Sequence, residues 1–137
     1  MRSVAREVVY QYIFSKMFNN DDTDELLIGL IKSQKLNEED KKFAINLSKV
    51  IIDNYNELLE TLSEYTKHYK NRLFTTDKCA LIIGLAEIKY FDDVPNVVAV
   101  DEAIKLSKKF STERSQDFIN GILGAILRGE EAKWVQK

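Results

Sequence analysis

The amino-acid sequence predicts an all-α fold, and three observations support this prediction. The 137 residues include only five glycines and one proline, whereas a β-sandwich or barrel needs turn residues at intervals of roughly ten residues. Apolar residues make up 45% of the chain and charged residues 31%, as in an ordinary globular domain. Most apolar residues recur at helical spacing. We therefore expect one domain of about six to seven helices over residues 1–129, followed by a polar C-terminal tail over residues 130–137.

The first predicted helix covers residues 3–18, with Ser3 as its N-cap because a serine hydroxyl accepts a hydrogen bond from a first-turn N–H. Its apolar residues spread around nearly the whole helix, which is typical of a central helix surrounded by others. An alternative interpretation concerns Tyr10, Phe14 and Phe18, which lie four residues apart along one edge. These side chains would then form a strip that contacts a protein partner.

Two further helices are predicted in the first half of the chain. A turn-rich acidic loop over residues 19–24 leads into a short helix over about residues 24–32. Asn37 then caps a long helix whose apolar stripe continues to about Tyr65, and three acidic residues follow the cap at the positive end of the helix dipole. Capping and dipole effects explain these carboxylates better than catalysis does.

The second half of the chain predicts three helices. The first, residues 77–91 with Thr75 or Thr76 as cap, is apolar on most faces and must be central. The second, residues 97–110, turns Glu102 and several lysines outward. The last begins at a Ser115 cap and ends near residue 129.

Composition excludes several classes of function. The single histidine and single cysteine, His68 and Cys79, cannot build a closed zinc site or a Cys–His nucleophile with its orienting group. The sequence contains no phosphate-binding glycine-rich loop and no apolar run long enough to span a membrane, and we expect no signal peptide. A lone cysteine fits a reducing cytoplasm. We therefore expect a cytoplasmic protein that has no metal or cofactor and is not an enzyme.

Two C-terminal segments resemble the NusB family of transcription antitermination factors. Residues 98–110 read VAVDEAIKLSKKF, similar to the family's V-A-I-N-E-A-V-x-L-A-K-x-F, and residues 115–123 read SQDFINGIL, similar to S-x-x-F-V-N-G-V-L. The two segments follow Pro95 in the expected order. Shorter matches near the N-terminus and around the central helix extend the resemblance over essentially the whole chain.

The resemblance implies an all-helical fold of two small bundles and a role without catalysis. It also implies that the protein pairs with the ribosomal protein NusE. Together the two would bind a single-stranded boxA-type RNA and join the RNA polymerase antitermination complex, notably on ribosomal RNA operons. Because the net charge is −2, RNA binding by this chain alone is predicted to be weak and salt-dependent, and a basic partner would strengthen it.

The predicted RNA-binding residues form one patch. Arg2 and Arg6 on the first helix would bind phosphates, since an arginine fork matches a phosphate bidentately. Tyr65 would stack on an unpaired base. The remaining members lie around the start of the central helix and before the last helix: Arg72, Lys78 and Arg114.

Family carry-over places Phe14 and Asp77 on the surface for the protein partner. Asp77 has an alternative role as a first-turn acid that stabilises its own helix. Glu102 is expected to pair with Lys105 or Lys109. Asn120 is either a buried structural amide or an RNA ligand, and Gly121 is expected to permit close helix contact. The residues assigned to the family motifs are Glu102, Phe118, Asn120 and Gly121.

The chain departs from the family pattern in its central helix. Ile82 and Ala86 stand where the family usually has arginine and tyrosine, which weakens the prediction of a typical RNA surface. Two other functions therefore stay open. One is a helical adaptor or homodimer that binds only protein, and the other is a stand-alone relative of the RNA-binding arm of a ribosomal RNA methyltransferase.

Overall fold

The computed structural model describes residues 2–18, 24–67 and 73–135, with side chains through residue 129. Within these residues the secondary structure consists of seven α-helices, so the predicted fold class is confirmed. The helices are α1 (Arg2–Phe18), α2 (Glu25–Ser33), α3 (Glu38–Asp53), α4 (Tyr55–Thr66), α5 (Thr75–Tyr90), α6 (Asn96–Phe110) and α7 (Ser115–Val135).

The helices pack as two groups that share α5. Helices α2 and α3 pack on α1, while α4, α6 and α7 pack on α5. Helix α5 also contacts α1 and α3, and every residue from Cys79 to Glu87 is buried. This arrangement agrees with the predicted central helix and with the two small bundles that the family resemblance implies.

A glycine allows the closest of these helix contacts. A Cβ at Gly84 would lie 2.9 Å from Leu123 Cδ1 and 3.0 Å from Ala103 Cβ, so α6 and α7 could not approach α5 as they do if a side chain stood there. The sequence predicted this role for Gly121 instead. That prediction is wrong, because Gly121 is exposed and a Cβ there would meet nothing within 4 Å.

Several helix boundaries differ from the predicted ones. The side chain of Asn37 accepts a hydrogen bond from the Asp40 N–H at 2.8 Å, so the predicted cap of α3 is confirmed. The long helix predicted after it is two helices, because Asn54 leaves helical geometry. Its backbone N–H makes the last helical bond of α3, to the Val50 carbonyl, and its side-chain amide donates to the same carbonyl at 2.8 Å.

Three other boundary predictions need correction. Ser3 lies inside α1 and its hydroxyl donates to Glu102, so Ser3 is not a cap. Helix α5 begins at Thr75 with Phe74 in the cap position, while Thr76 bonds to Ser111. Helix α7 begins at Ser115 as predicted but continues to Val135, beyond the predicted end near residue 129. Among the described residues, every helix is too short or too polar to span a bilayer.

Candidate RNA and protein interface

Arg6 lies in the core and not on the surface. The side chain is 3% exposed, and the carboxylate it faces, Glu87, is fully buried. Arg6 Nε donates to Glu87 Oε2 at 2.8 Å and Arg6 Nη2 donates to Oε1 at 2.6 Å. A bidentate buried pair of this kind occupies the guanidinium, so the prediction that Arg6 binds a phosphate is wrong, and the residue ties α1 to α5.

Glu102 belongs to the same buried network. Its side chain is only 11% exposed, so the prediction that it faces outward is wrong. Its carboxylate accepts from the Ser3 hydroxyl at 2.9 Å and lies 3.6 Å from Arg6 Nη1. Burial raises the pKa of the Glu87 carboxyl, against the opposing effect of Arg6, and the nearby negative charge of Glu102 raises it further. The network therefore joins α1, α5 and α6.

Two lysines of α6 lie on the solvent side of this network, next to the first two turns of α1. Lys105 pairs with Glu102 at 3.5 Å, as predicted, and Lys109 pairs with Glu7 and not with Glu102. Lys105 and Lys109 are 68% and 58% exposed, whereas their acidic partners are 11% and 24% exposed. The cation is therefore the solvent-facing member of each pair. Sequence reasoning placed these lysines outward but did not connect them to the first helix.

Arg2 is held in place at the surface. Its Cζ lies 4.5 Å from the centroid of the Phe43 ring, and its Nη2 lies 3.2 Å from Asp93 Oδ2. The side chain nevertheless remains 46% exposed. Arg2 therefore presents a positioned guanidinium to solvent, as an RNA ligand requires.

The predicted patch does not form a single cluster. Helix α1 runs antiparallel to α5, since Arg6 bonds to Glu87 near the end of α5 while Tyr10 donates to the Thr76 carbonyl near its start. Lys78 and Glu87 are separated by nine residues of helix, or roughly 13 Å. Lys78 therefore lies far from Arg2, at the opposite end of α5.

Tyr65 and Arg114, two other predicted RNA residues, also lie apart from Arg2. Tyr65 is half-buried, and its hydroxyl fills the space that a side chain at Gly129 would take. Arg114 is exposed in the connection between α6 and α7. Arg72 lies outside the described residues. The structure thus brings Lys105 and Lys109 together beside Ser3 and Glu7 of α1, with Arg2 on the neighbouring side of the same helix against Phe43, and not the set that the sequence suggested.

The aromatic strip of α1 changes from buried to exposed along the helix. Tyr10 is 2% exposed, and its ring stacks on Phe110 with centroids 4.4 Å apart, so its assignment to the partner surface is wrong. Phe14 is half-buried, and the centroids of its ring and the Phe18 ring are 5.0 Å apart. Phe18 itself is 69% exposed. Helix α1 is therefore central in the fold and exposes one aromatic end, and the contact of that end with a protein partner stays a prediction.

Asp77 lies beside this strip in the first turn of α5. It is buried, and its Oδ1 has no hydrogen-bond partner among the described residues. Its negative charge raises the pKa of Tyr10, after the larger effect of burial. A buried carboxylate oxygen of this kind is costly unless a donor reaches it. Because Asp77 is 4% exposed, its assignment to the partner surface is wrong, and its place in the first turn of α5 agrees with the alternative role of stabilising its own helix.

The remaining motif residues lie on α7. Phe118 is half-buried and packs against the core. Asn120 is exposed, so the interpretation of its amide as a buried structural group is wrong. The alternative, that the amide is a polar ligand to RNA, remains open.

Comparisons with known proteins agree with the fold. The NusB family model matches residues 1–128. The transcription antitermination protein NusB of Clostridium novyi is 34% identical over 131 residues, covering 93% of this chain and 98% of its own length. That of Methylacidiphilum infernorum is 32% identical over 134 residues, covering 96% and 94%.

Solved structures share the same architecture. NusB of T. maritima superposes with a TM-score of 0.85 at 28% identity, over 93% of this chain and 91% of that one. A chain from the crystal structure of the antitermination factors NusB and NusE with double-stranded RNA gives a TM-score of 0.84 at 20% identity, over 93% and 96%. With a family model matched over nearly its whole length and relatives above 30% identity, the chain belongs to the NusB family.

Proposed function

We propose that this protein is a transcription antitermination factor that binds boxA-type single-stranded RNA jointly with NusE. It acts within the RNA polymerase complex in the cytoplasm and catalyses no reaction. The observation that carries the proposal is the match, over more than nine-tenths of the chain, to relatives that bear the name transcription antitermination protein NusB. The geometry of two surfaces supports it.

The first surface, here called the RNA face, consists of Arg2, Lys105 and Lys109. Lys105 and Lys109 are one helical turn apart, about 6 Å along α6, so their ammonium groups can contact different phosphates of one strand. Their acidic partners lie beneath them and not beside them. A phosphate therefore meets the cations first and replaces the carboxylates as their partner.

A face of three cations gives weak binding by itself. Each phosphate that a lysine or arginine neutralises in a single strand contributes a slope of about −0.7 to the dependence of log K on log salt. The whole chain carries a net charge of −2, which opposes RNA at long range. A basic partner bound beside the face supplies the missing charge.

The second surface, here called the partner face, consists of Phe14 and Phe18. Phe18 exposes two-thirds of its surface, and large exposed aromatics are typical of protein interfaces. NusE is therefore expected to present an apolar side chain to this face.

Titration of a boxA-type RNA with and without NusE at fixed salt tests the proposal. The protein alone binds weakly, NusE strengthens binding, and Lys105→Ala/Lys109→Ala reduces the salt slope by about 1.4 for two lost phosphate contacts. A matched control removes two exposed lysines elsewhere, Lys32 and Lys49. RNA binding that stays unmeasurable with NusE present, while NusE itself binds, would establish the protein-only adaptor instead.

A further inference from the structure

An open groove of about 640 Å³ lies between the first turn of α1, the first half of α3 and the loop before α6. Two buried rings, Phe43 and Phe91, line it and meet edge to face, with ring centroids 5.7 Å apart. Arg2 lies at its rim. Arg2 and Ser3 are neighbours on α1, and their side chains point about 100° apart around the helix. Arg2 lines the groove, whereas Ser3 bonds to Glu102, the partner of Lys105. The groove and the α6 lysines therefore lie on two sides of the same turn. RNA on the RNA face therefore passes the groove.

The charges in the groove select against a phosphate. Among the described residues, two cations and three carboxylates line it: Arg2 and Lys42, and Glu39, Asp40 and Asp93. Arg2 pairs with Asp93 and Glu39 lies about one helical turn from Lys42, so a phosphate placed there would meet a carboxylate beside each cation. A neutral group that offers both hydrogen-bond donors and an acceptor fits the same surroundings, and an unpaired nucleobase is such a group.

One face of α3 carries an acceptor beside a donor. Glu39 and Lys42 are three residues apart and so lie on the same side of the helix. Both line the groove, and in the part of the chain that the structure describes they form no ion pair with each other. The Watson–Crick edge of guanine presents the complementary pattern, with the O6 acceptor next to the N1–H and N2–H donors. Adenine, cytosine and uracil do not place two donors next to one acceptor on that edge.

Arg2 provides a plane on which a base can stack. Its guanidinium is fixed against Phe43 and Asp93 while the side chain stays half exposed. Unpaired bases in RNA complexes stack on aromatic rings and on arginine planes. Because the plane is already positioned, little side-chain entropy is lost when a base covers it.

We propose that this groove reads one unpaired guanine, which stacks on Arg2, donates N1–H and N2–H to Glu39 and accepts at O6 from Lys42. The inference rests on the proposed RNA-binding function and adds a base preference to it. It assigns Glu39 and Lys42 to specificity, whereas Lys105 and Lys109 contact the backbone without reading sequence.

The test compares short oligouridine RNAs that differ at one central position, which is uridine, guanosine or inosine, in the presence of NusE. One bidentate contact to a base makes the affinity for that base about tenfold or more higher than for the wrong base. We therefore expect the guanosine RNA to bind about tenfold more tightly than the uridine RNA. Inosine, which lacks the N2 amino group, falls between them. Glu39→Gln/Lys42→Ala removes the guanosine preference, so the guanosine and uridine RNAs bind this variant equally.

A matched control exists on the next face of α3. Glu38 and Lys41 have the same spacing, charge and exposure but do not line the groove, so Glu38→Gln/Lys41→Ala keeps the preference. Equal binding of the guanosine and uridine RNAs by the wild-type protein overturns the inference and leaves the proposed function standing. Loss of the preference in both double variants also overturns it. Failure of the wild-type protein to bind any of the RNAs overturns the proposed function and the inference together.

Discussion

Removal of the Glu87 carboxylate is the most informative perturbation of the fold. Glu87→Leu leaves the Arg6 guanidinium in the core without its bidentate partner, since Arg6 is 3% and Glu87 0% exposed. Breaking a buried pair from one side costs about 3–5 kcal/mol, because a charge stays buried and uncompensated. Glu102 Oε1 lies 3.6 Å from Arg6 Nη1 and compensates in part. We therefore expect the lower end, a loss of about 3 kcal/mol in the free energy of unfolding.

Urea denaturation followed by circular dichroism measures this loss. With a slope of about 2 kcal/mol per molar urea, the midpoint falls by roughly 1.5 M. Asp93→Asn is the control at an exposed ion pair, that of Arg2 and Asp93, where the loss is expected to stay below about 1 kcal/mol.

The double variant Arg6→Met/Glu87→Leu separates a buried charge from a general packing defect. Replacing both members of a buried pair by apolar side chains is often neutral or stabilising, so most of the lost stability should return. If Glu87→Leu costs less than about 1 kcal/mol, or if the double variant is as unstable as the single one, the reasoning about a buried ion pair is refuted.

Three shorter predictions follow from local geometry. Gly84→Ala lowers the free energy of unfolding by about 1–3 kcal/mol, because the added Cβ overlaps side chains of α6 and α7. Gly121→Ala adds its Cβ in open space and raises the free energy of unfolding by up to about 1 kcal/mol. Thermal denaturation compares the two variants. The hydrogen bond from Tyr90 and then the charge of Lys89 lower the pKa of Glu57, so this group stabilises the fold above its ordinary pKa and loses that contribution as pH falls through its folded pKa. Tyr90→Phe raises the pKa of Glu57 in a carboxyl NMR titration, and an unchanged pKa contradicts the assignment. Phe18→Ala weakens NusE binding in calorimetry without a change in RNA binding by the protein alone, because Phe18 is 69% exposed, and equal NusE affinity would exclude Phe18 from the partner face.

The helices were predictable because their determinants are local. Glycine and proline scarcity, the Asn37 cap and the apolar periodicity all act within a few residues of the chain. The break at Asn54 was missed because the apolar stripe continues across it with helical spacing. The break lies in the backbone dihedral angles of Asn54, and asparagine also occurs inside helices, so its presence did not indicate a boundary.

The site was less predictable because its residues are paired across the chain. Arg6 and Glu87 are 81 positions apart, and only the fold shows that each neutralises the other. One signal was present in the sequence, namely Glu87 as a carboxylate within a helix otherwise apolar on most faces. A charge in such a helix indicates a buried partner of opposite sign. The other central helix, α1, offers Arg2 and Arg6 as candidate partners in its first turns.

The burial of Arg6 changes how RNA-binding variants should be interpreted. Arg6→Ala removes the partner of Glu87 and destabilises the fold, so it lowers the fraction of folded protein at a given temperature. Its effect on an RNA titration is therefore indirect. Arg2→Ala loses only a partly exposed ion pair and a contact with Phe43, together worth about 1 kcal/mol or less in stability.

We therefore expect the two arginine variants to differ in opposite ways. Arg2→Ala weakens RNA affinity and unfolds close to the wild-type midpoint, whereas Arg6→Ala unfolds early and retains wild-type affinity per folded molecule. The measurement is an RNA titration with NusE present, corrected by the folded fraction from circular dichroism at the same temperature. A fully folded Arg6→Ala protein that binds RNA several-fold more weakly would show that Arg6 leaves Glu87 to reach the RNA, and the RNA face would then have to include it.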